Sequence, residues 1–205
     1  MSEEVTDNTS VPSSDLIQDK RRLRAEVLGR RDALGQTERQ NIDGRIRERL
    51  QALPEYEQAA VVFSYVSVGS EIDTTLLIEE MLLAGKIVCT PRCLAGGIMH
   101  AHRITGLDEL EEGAMSIPAP KADAPVVEPA AIDLALVPCL LSTRDGYRLG
   151  YGGGFYDRYL PQATNAAQVI LCREDFLSEA VPVESHDVAV DMVVTENEVI
   201  VTSEN

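Results

Sequence analysis

The stretch Gly146-Tyr147-Arg148-Leu149-Gly150-Tyr151-Gly152-Gly153-Gly154-Phe155-Tyr156-Asp157-Arg158 concentrates residue types that can handle phosphate. Gly150, Gly152, Gly153 and Gly154 let the backbone take positive φ and bring successive N–H groups against a ligand with no Cβ in the way. Arg148 and Arg158 bracket the turn with donors suited to phosphate oxygens. No Gly-Lys-Ser/Thr closes the turn, so it is not a P-loop, and Phe155 stands where a dinucleotide fingerprint has its third glycine. A merely flexible connection is the competing reading, against which the flanking Tyr, Arg and Asp side chains weigh.

Cations gather elsewhere as well. Between Lys20 and Arg49 the chain carries ten basic residues against five acidic ones, leaving 8 against 29 in the rest. Lys20, Arg24 and Arg31 fall on one side of a helix, because positions four and eleven apart nearly superpose on a 3.6-residue period. They form either an anion clamp or a solvated face paired with the acidic body, and charge alone favours the second. A clamp needs a second, convergent phosphate feature, which the glycine turn supplies. Cys89, Cys93, Cys139 and Cys172 lack the C-x-x-C and histidine spacing of a zinc cage and read as reduced, partly buried thiols. His100, His102 and His186 show no metal spacing, and none is given a catalytic role.

These residues need a frame. Residues 1–14 are polar and acidic and read as a disordered tail, with one α/β domain over 15–205. Leu16, Leu23, Val27 and Leu34 predict a first helix with Asp15 as N-cap and Gly35 at its end. Thr37-Glu38-Arg39-Gln40 has the pattern of a capping box for a second helix, with Ile42, Ile46 and Leu50 on one face and Pro54 as its stop. Strands are expected over 59–66, 86–90 (stopped by Pro91), 98–104 after a Gly96-Gly97 hairpin, 132–137, 169–172, 192–195 and 199–202. Helices are expected over 74–84 and from Tyr156, the latter adding its N-terminal dipole to the glycine turn. Residues 113–131 read as an ordered loop. Alternating strands and helices with near-continuous apolar strands indicate a mostly parallel sheet covered on both faces. The glycine turn then lies beyond the carboxyl end of strand 132–137, where open α/β sheets bind ligands.

Composition narrows the partners. The 205 residues include 34 acidic and 18 basic ones, a net charge of −16, which opposes nucleic acid and anionic lipid. Lacking an apolar run of membrane length and a secretory leader, the chain is expected to be cytoplasmic. A small-molecule substrate and a monomer or weak dimer are the corresponding expectations.

Arg148 to Arg158, read as R-L-G-Y-G-G-G-F-Y-D-R, resembles the signature of the 5-formyltetrahydrofolate cyclo-ligase (5,10-methenyltetrahydrofolate synthetase) family. Weaker similarities follow in the family's order: Lys20 with Leu23-Arg24, Gly69-Ser70-Glu71-Ile72-Asp73-Thr74, Thr90-Pro91-Arg92, Ile117-Pro118-Ala119-Pro120, Val137-Pro138 and His186-Asp187. The resemblance implies a three-layer αβα fold related to sugar-phosphate isomerases. The implied reaction converts ATP and 5-formyltetrahydrofolate to 5,10-methenyltetrahydrofolate, ADP and phosphate with Mg²⁺. Carried over, Lys20 and Arg24 hold the ATP phosphates and Gly150 to Gly154, with Tyr151, Phe155 and Arg158, complete that site. Arg148 offsets charge on the transferring phosphoryl group, Asp157 and Asp187 hold Mg²⁺, and Glu71 binds the pterin. Tyr156 packs near the formyl group, and Met99 and Met115 line the folate pocket. Two segments depart from the pattern. Ser142 and Thr143 replace a usual Phe-Asp, with Asp145 as a substitute carboxylate, and Arg173-Glu174-Asp175-Phe176 replaces an aromatic-and-Gln segment. The rival readings are a non-catalytic nucleotide- or folate-binding regulator and a sugar-phosphate isomerase or transferase.

Overall fold

A computed structural model describes residues 14–202, with side chains from residue 16. The tail expected over 1–14 lies outside these residues except for Ser14, with which the first helix begins. The helices are α1 (Ser14–Ala33), α2 (Gln36–Gln51), α3 (Pro54–Gln58), α4 (Thr75–Leu83) and α5 (Phe155–Tyr159). The first strands are β1 (Val61–Phe63), β2 (Ile87–Cys93), β3 (Met99–Ile104), β4 (Leu110–Glu112), β5 (Pro118–Pro120) and β6 (Val126–Val127). Next come β7 (Leu134–Val137), β8 (Leu141–Thr143), β9 (Arg148–Leu149), β10 (Ala167–Leu171), β11 (Leu177–Ser178), β12 (Met192–Val194) and β13 (Val199–Val201).

Eight strands form the main sheet in the order β13-β12-β10-β7-β1-β2-β3-β6. The five inner strands, β12 to β2, run parallel, and the outer ones pair antiparallel. Alternate residues along each inner strand feed opposite cores. Val62, Leu134, Leu136, Val169 and Val194 pack with Ile46 and Leu50 of α2 and Leu77, Ile78 and Met81 of α4. Phe63, Ala135, Val137, Ile170 and Val193 pack with Val27 of α1 and Tyr159 of α5. Burial on both faces explains why 134–137 is apolar throughout rather than alternating. The expected αβα architecture is therefore present.

The strand order also fixes where a ligand can enter. From β1 the chain crosses through α4 to β2 on one side; from β7 it crosses through α5 to β10 on the other. Two crossovers of the same hand running in opposite directions must put their helices on opposite faces, as α4 and α5 are. The carboxyl ends of β1 and β7 consequently diverge into a crevice, the usual site of ligand binding in such sheets.

Several boundaries differ from the sequence expectation. The 59–66 strand shortens to Val61–Phe63, because Tyr65 and Val66 leave the sheet to wall the crevice. Pro91 does not stop β2. Ile87 N donates to Ala60 O and Ser64 N to Cys89 O, so odd positions face β1, and β1 has ended before Pro91 needs a donor. The capping box at Thr37 does not form. Extended Gly35 is the N-cap of α2, with no side-chain cap. Asp15 lies inside α1 rather than before it. A hairpin, β8-β9, intervenes between β7 and the glycine turn, and α5 has only five residues, too few for a substantial dipole.

Candidate active site

The crevice holds a cavity of about 460 Å³, within the usual range for small-molecule sites. One wall is Lys20 and Arg24, one turn apart on α1; facing them is the glycine turn from Arg148 to Asp157. The floor comes from residues just past β1 and β7, namely Tyr65, Val66 and Pro138, and from Pro91 and Cys93 of β2. Glu71, Met99, Met115 and the Glu184–Asp187 turn complete the rim. Lys20, Arg24, Glu71, Met99, Met115, Arg148, Gly150 to Asp157 and Asp187 therefore meet in one place, although up to 167 positions separate them along the chain.

Inside the turn, carbonyls and amides are sorted. Arg24 Nε donates to Gly150 O at 2.8 Å, and Arg158 Nη2 donates to Gly153 O at 2.6 Å. Among the described residues, no amide from Gly150 to Gly154 donates to another protein group. With the Gly150 and Gly153 carbonyls tied back and its amides free, the turn has the donor pattern that an anion-binding nest requires. Gly152 (φ +97°) and Gly154 (φ +61°) are what make that sorting possible. A Cβ at Gly152 would also lie 3.1 Å from Arg24 Cζ. Gly152→Ala should add about 1–3 kcal/mol of strain and lower the melting temperature by several degrees, as thermal unfolding would show.

Lys20 and Arg148 already have carboxylate company. Lys20 Nζ lies 2.6 Å from Glu184 Oε2 and 2.8 Å from Asp187 Oδ2. Burial pulls the ammonium pKa down, but the hydrogen bonds and charges of Asp187 and Glu184 outweigh it, and the net shift is upward. Arg148 reaches Asp157 Oδ1 at 2.7 Å and Val188 O at 2.8 Å. Asp157 keeps Oδ2 without a hydrogen-bond partner among the described residues, and the His186 imidazole lies 3.8 Å from Asp187 Oδ1. Glu184, His186 and Asp187 present ligand atoms within 4.8 Å of one another. Hard oxygen donors with unused lone pairs beside a phosphate nest fit Mg²⁺.

Also lining the cavity, Glu71 has its Oε2 accepting from Val68 N at 2.8 Å. The Tyr156 hydroxyl is buried without a hydrogen-bond partner among the described residues. Burial, then the Cys93 and Glu71 charges, push its pKa well up, so it stays protonated and available to donate. Met99 is buried in the wall, whereas Met115, 71% exposed, sits at the mouth.

Two cations expected here are elsewhere. Arg158 does not line the cavity; its guanidinium ties Gly153 O to Gly97 O, at 3.0 Å, and lies over the Phe155 ring. Its role is to brace the turn against the β2-β3 hairpin. Arg31, two turns beyond Arg24, is buried with Nη1 on Cys139 O at 3.1 Å and lines a small pocket that shares Tyr65, Glu71 and Pro138 with the cavity. Ser142 and Thr143 are buried in the β8-β9 hairpin and bond to the Tyr147 backbone, and Asp145 is exposed at its tip. None of the three lines the cavity, so Asp145 is no substitute carboxylate there. Glu184 was missed: an acid in a Pro-Val-Glu-Ser-His-Asp turn carries no sequence signal until Lys20 is seen beside it.

Comparisons with known proteins identify the chain's relatives. A model of the 5-formyltetrahydrofolate cyclo-ligase family matches residues 16–196. The 5-formyltetrahydrofolate cyclo-ligase of Mycolicibacterium smegmatis is 36% identical over 184 residues, covering 86% of this chain and 93% of the relative. That of Escherichia coli K12 is 32% identical over 184 residues, covering 84% and 98%. Among solved structures, 5,10-methenyltetrahydrofolate synthetase from Aquifex aeolicus superposes with a TM-score of 0.80 at 30% identity, covering 91% of this chain and 94% of that one. The synthetase from Mycoplasma pneumoniae, at 23% identity and a TM-score of 0.71, covers 87% and 99% and shares the fold. Among the described residues no helix is long and apolar enough to cross a membrane.

Proposed function

Because the chain belongs to the 5-formyltetrahydrofolate cyclo-ligase family, we propose that its cavity takes ATP beside 5-formyltetrahydrofolate and closes the folate to 5,10-methenyltetrahydrofolate, releasing ADP and phosphate. The observation that carries this reading is the convergence of free turn amides with Lys20 and Arg24 on one cavity. The protein would work in the cytoplasm as a monomer or weak dimer.

The chemistry needs little covalent help. A formamide oxygen is a poor leaving group, so attack by N10 on the formyl carbon requires that oxygen to become a phosphate ester first. Lys20, Arg24 and the amides of Gly150 to Gly154 hold the triphosphate, and Phe155 and Tyr151 close the ends of the turn around it. Arg148 offsets charge on the phosphoryl group in flight, where positioning and electrostatics supply most of the acceleration. Asp157 and Asp187 are the residues that would hold Mg²⁺, which when bound would supply charge neutralisation for the phosphates. Glu71 accepts from the pterin N–H donors, the Tyr156 hydroxyl donates toward the formyl oxygen, and Met99 and Met115 cover the ring.

The direct test mixes purified protein, MgATP and 5-formyltetrahydrofolate and follows the absorbance of the methenyl product. Folded protein that binds ATP and forms no product would favour a nucleotide- or folate-binding regulator instead. Asp157→Asn should shift the Mg²⁺ titration of activity upward by about tenfold, since it removes one of two charged ligands. An unchanged titration removes Asp157 from the metal site.

A further inference from the structure

We propose that Arg173 and Asp43 form a buried clamp that sets the position of Glu71 and so act as positioning residues for the folate. This inference rests on the reading of Glu71 as the pterin's acceptor. Arg173 lies in the segment where the sequence departs from the pattern it resembles, two residues past β10, and Asp43 lies on α2. Arg173 Nε donates to Asp43 Oδ1 at 2.8 Å and Nη2 donates to Oδ2 at 2.9 Å, a bidentate fork with side chains only 3% and 9% exposed.

The fork does not stop at the pair. Nη1 donates to Ser70 O at 2.9 Å and Nη2 to Glu71 O at 3.2 Å, while Asp43 Oδ2 accepts Asp73 N at 3.1 Å. One ion pair thus fixes three backbone groups within residues 70–73, with Glu71 among them. The loop's other flank is pinned separately, Ser67 N to Thr74 Oγ1 and Thr74 N to Ser67 Oγ, both at 3.1 Å. Glu71 therefore projects into the cavity from a segment with no freedom to slide.

An apolar pair of equal volume would make up for the ion pair's own attraction, most of which desolvation offsets, but would leave Ser70 O, Glu71 O and Asp73 N without partners. What an apolar pair cannot do is bind the carbonyls of Ser70 and Glu71. Lysine cannot do it either, because a single ammonium does not reproduce the planar fork that spans Asp43 and two carbonyls. Displacement of a binding group by about 1 Å is enough for large losses.

The test measures equilibrium binding of 5-formyltetrahydrofolate without ATP, the KM for each substrate and the melting temperature. Arg173→Lys is expected to weaken folate binding by about tenfold and to leave the KM for ATP within about twofold. The double variant Asp43→Leu/Arg173→Met leaves no charge unpaired but strips Ser70 O, Glu71 O and Asp73 N of their partners, so it should lower the melting temperature by several degrees and lose folate affinity to a similar extent, with the KM for ATP within about twofold. In a Glu71→Gln background, Arg173→Lys should add no further loss, the sign of two residues acting as one unit. Unchanged folate binding in both clamp variants, equal losses for folate and ATP, or additive losses with Glu71→Gln would each overturn the proposal. Glu71→Gln that binds folate as the parent does would overturn the reading of Glu71 itself, a failure visible without any Arg173 variant.

Discussion

Lys20→Ala raises the KM for ATP by about 10- to 100-fold and leaves that for the folate within about twofold, the expectation for losing charge-assisted hydrogen bonds of roughly 1.5–3 kcal/mol to one substrate only. Lys20 lines the cavity held by Glu184 and Asp187, whereas Glu71 is held by its own loop through Val68 N, so the two substrates should separate in steady-state kinetics. The substitution has a second consequence. It leaves Glu184 and Asp187 facing the nest without the ammonium that joins them, and their negative charge then opposes the triphosphate. Glu184→Gln in the Lys20→Ala background should recover part of the lost ATP affinity for that reason. The pH dependence follows from the sign of the lysine shift. With its pKa raised by Asp187 and Glu184 against the pull of burial, Lys20 contributes stability fully below the ordinary lysine value of about 10.4 and loses it only as pH climbs through the higher folded value. Across pH 6–9 the ammonium stays charged, and the effect of Lys20→Ala on ATP should be flat over that window. Equal rises in both Michaelis constants would place Lys20 outside a nucleotide site.

Arg148→Met is expected to lower kcat by about 10²- to 10³-fold, the loss seen when one preorganised donor to developing charge is removed, with small changes in either KM. Arg148 is suited to this because it cannot wander: Asp157 Oδ1 at 2.7 Å and Val188 O at 2.8 Å hold its guanidinium, and its side chain is only 5% exposed. The same contacts tie the glycine turn to the segment carrying Asp187, so Arg148 couples the nest to the second metal-holding acid. Arg148→Lys should fall between Met and parent, since it keeps the charge without spanning both partners. Measuring the Mg²⁺ titration alongside separates the two roles: a fall in kcat that excess metal restores would mean that Arg148 only orients Asp157. A kcat within about threefold of the parent's would deny it a part in phosphoryl transfer.

Much of this site could be read locally. The glycine spacing around Gly152 and the cations one turn apart at Lys20 and Arg24 stand in short segments whose chemistry does not depend on distant neighbours, whereas the acids Glu71, Asp157 and Asp187 entered only through the resemblance. The run 132–137, apolar except for Asp133, likewise announced a strand buried on both faces, and its apolar residues do supply both cores. Partnership was the hidden part. Nothing near Arg158 in sequence indicates that Gly97 would hold its guanidinium, and nothing near Arg31 indicates that α1 would carry it past the cavity and under Cys139. Pro91 misled for a related reason: whether a missing N–H matters depends on where the neighbouring strand ends.

By itself the sequence determined the residue types, their alternation and the backbone freedom of the turn, because hydrophobic period and positive-φ glycine are properties of consecutive residues. Which charges meet was decided by the tertiary structure alone. Lys20 finds Glu184 and Asp187, and Arg173 finds Asp43 and the carbonyls beside Glu71, only because the strand order diverges at β1 and β7 and brings loops more than 100 positions apart to one crevice. Long-range ion pairs are set by that topology, and no local pattern encodes it.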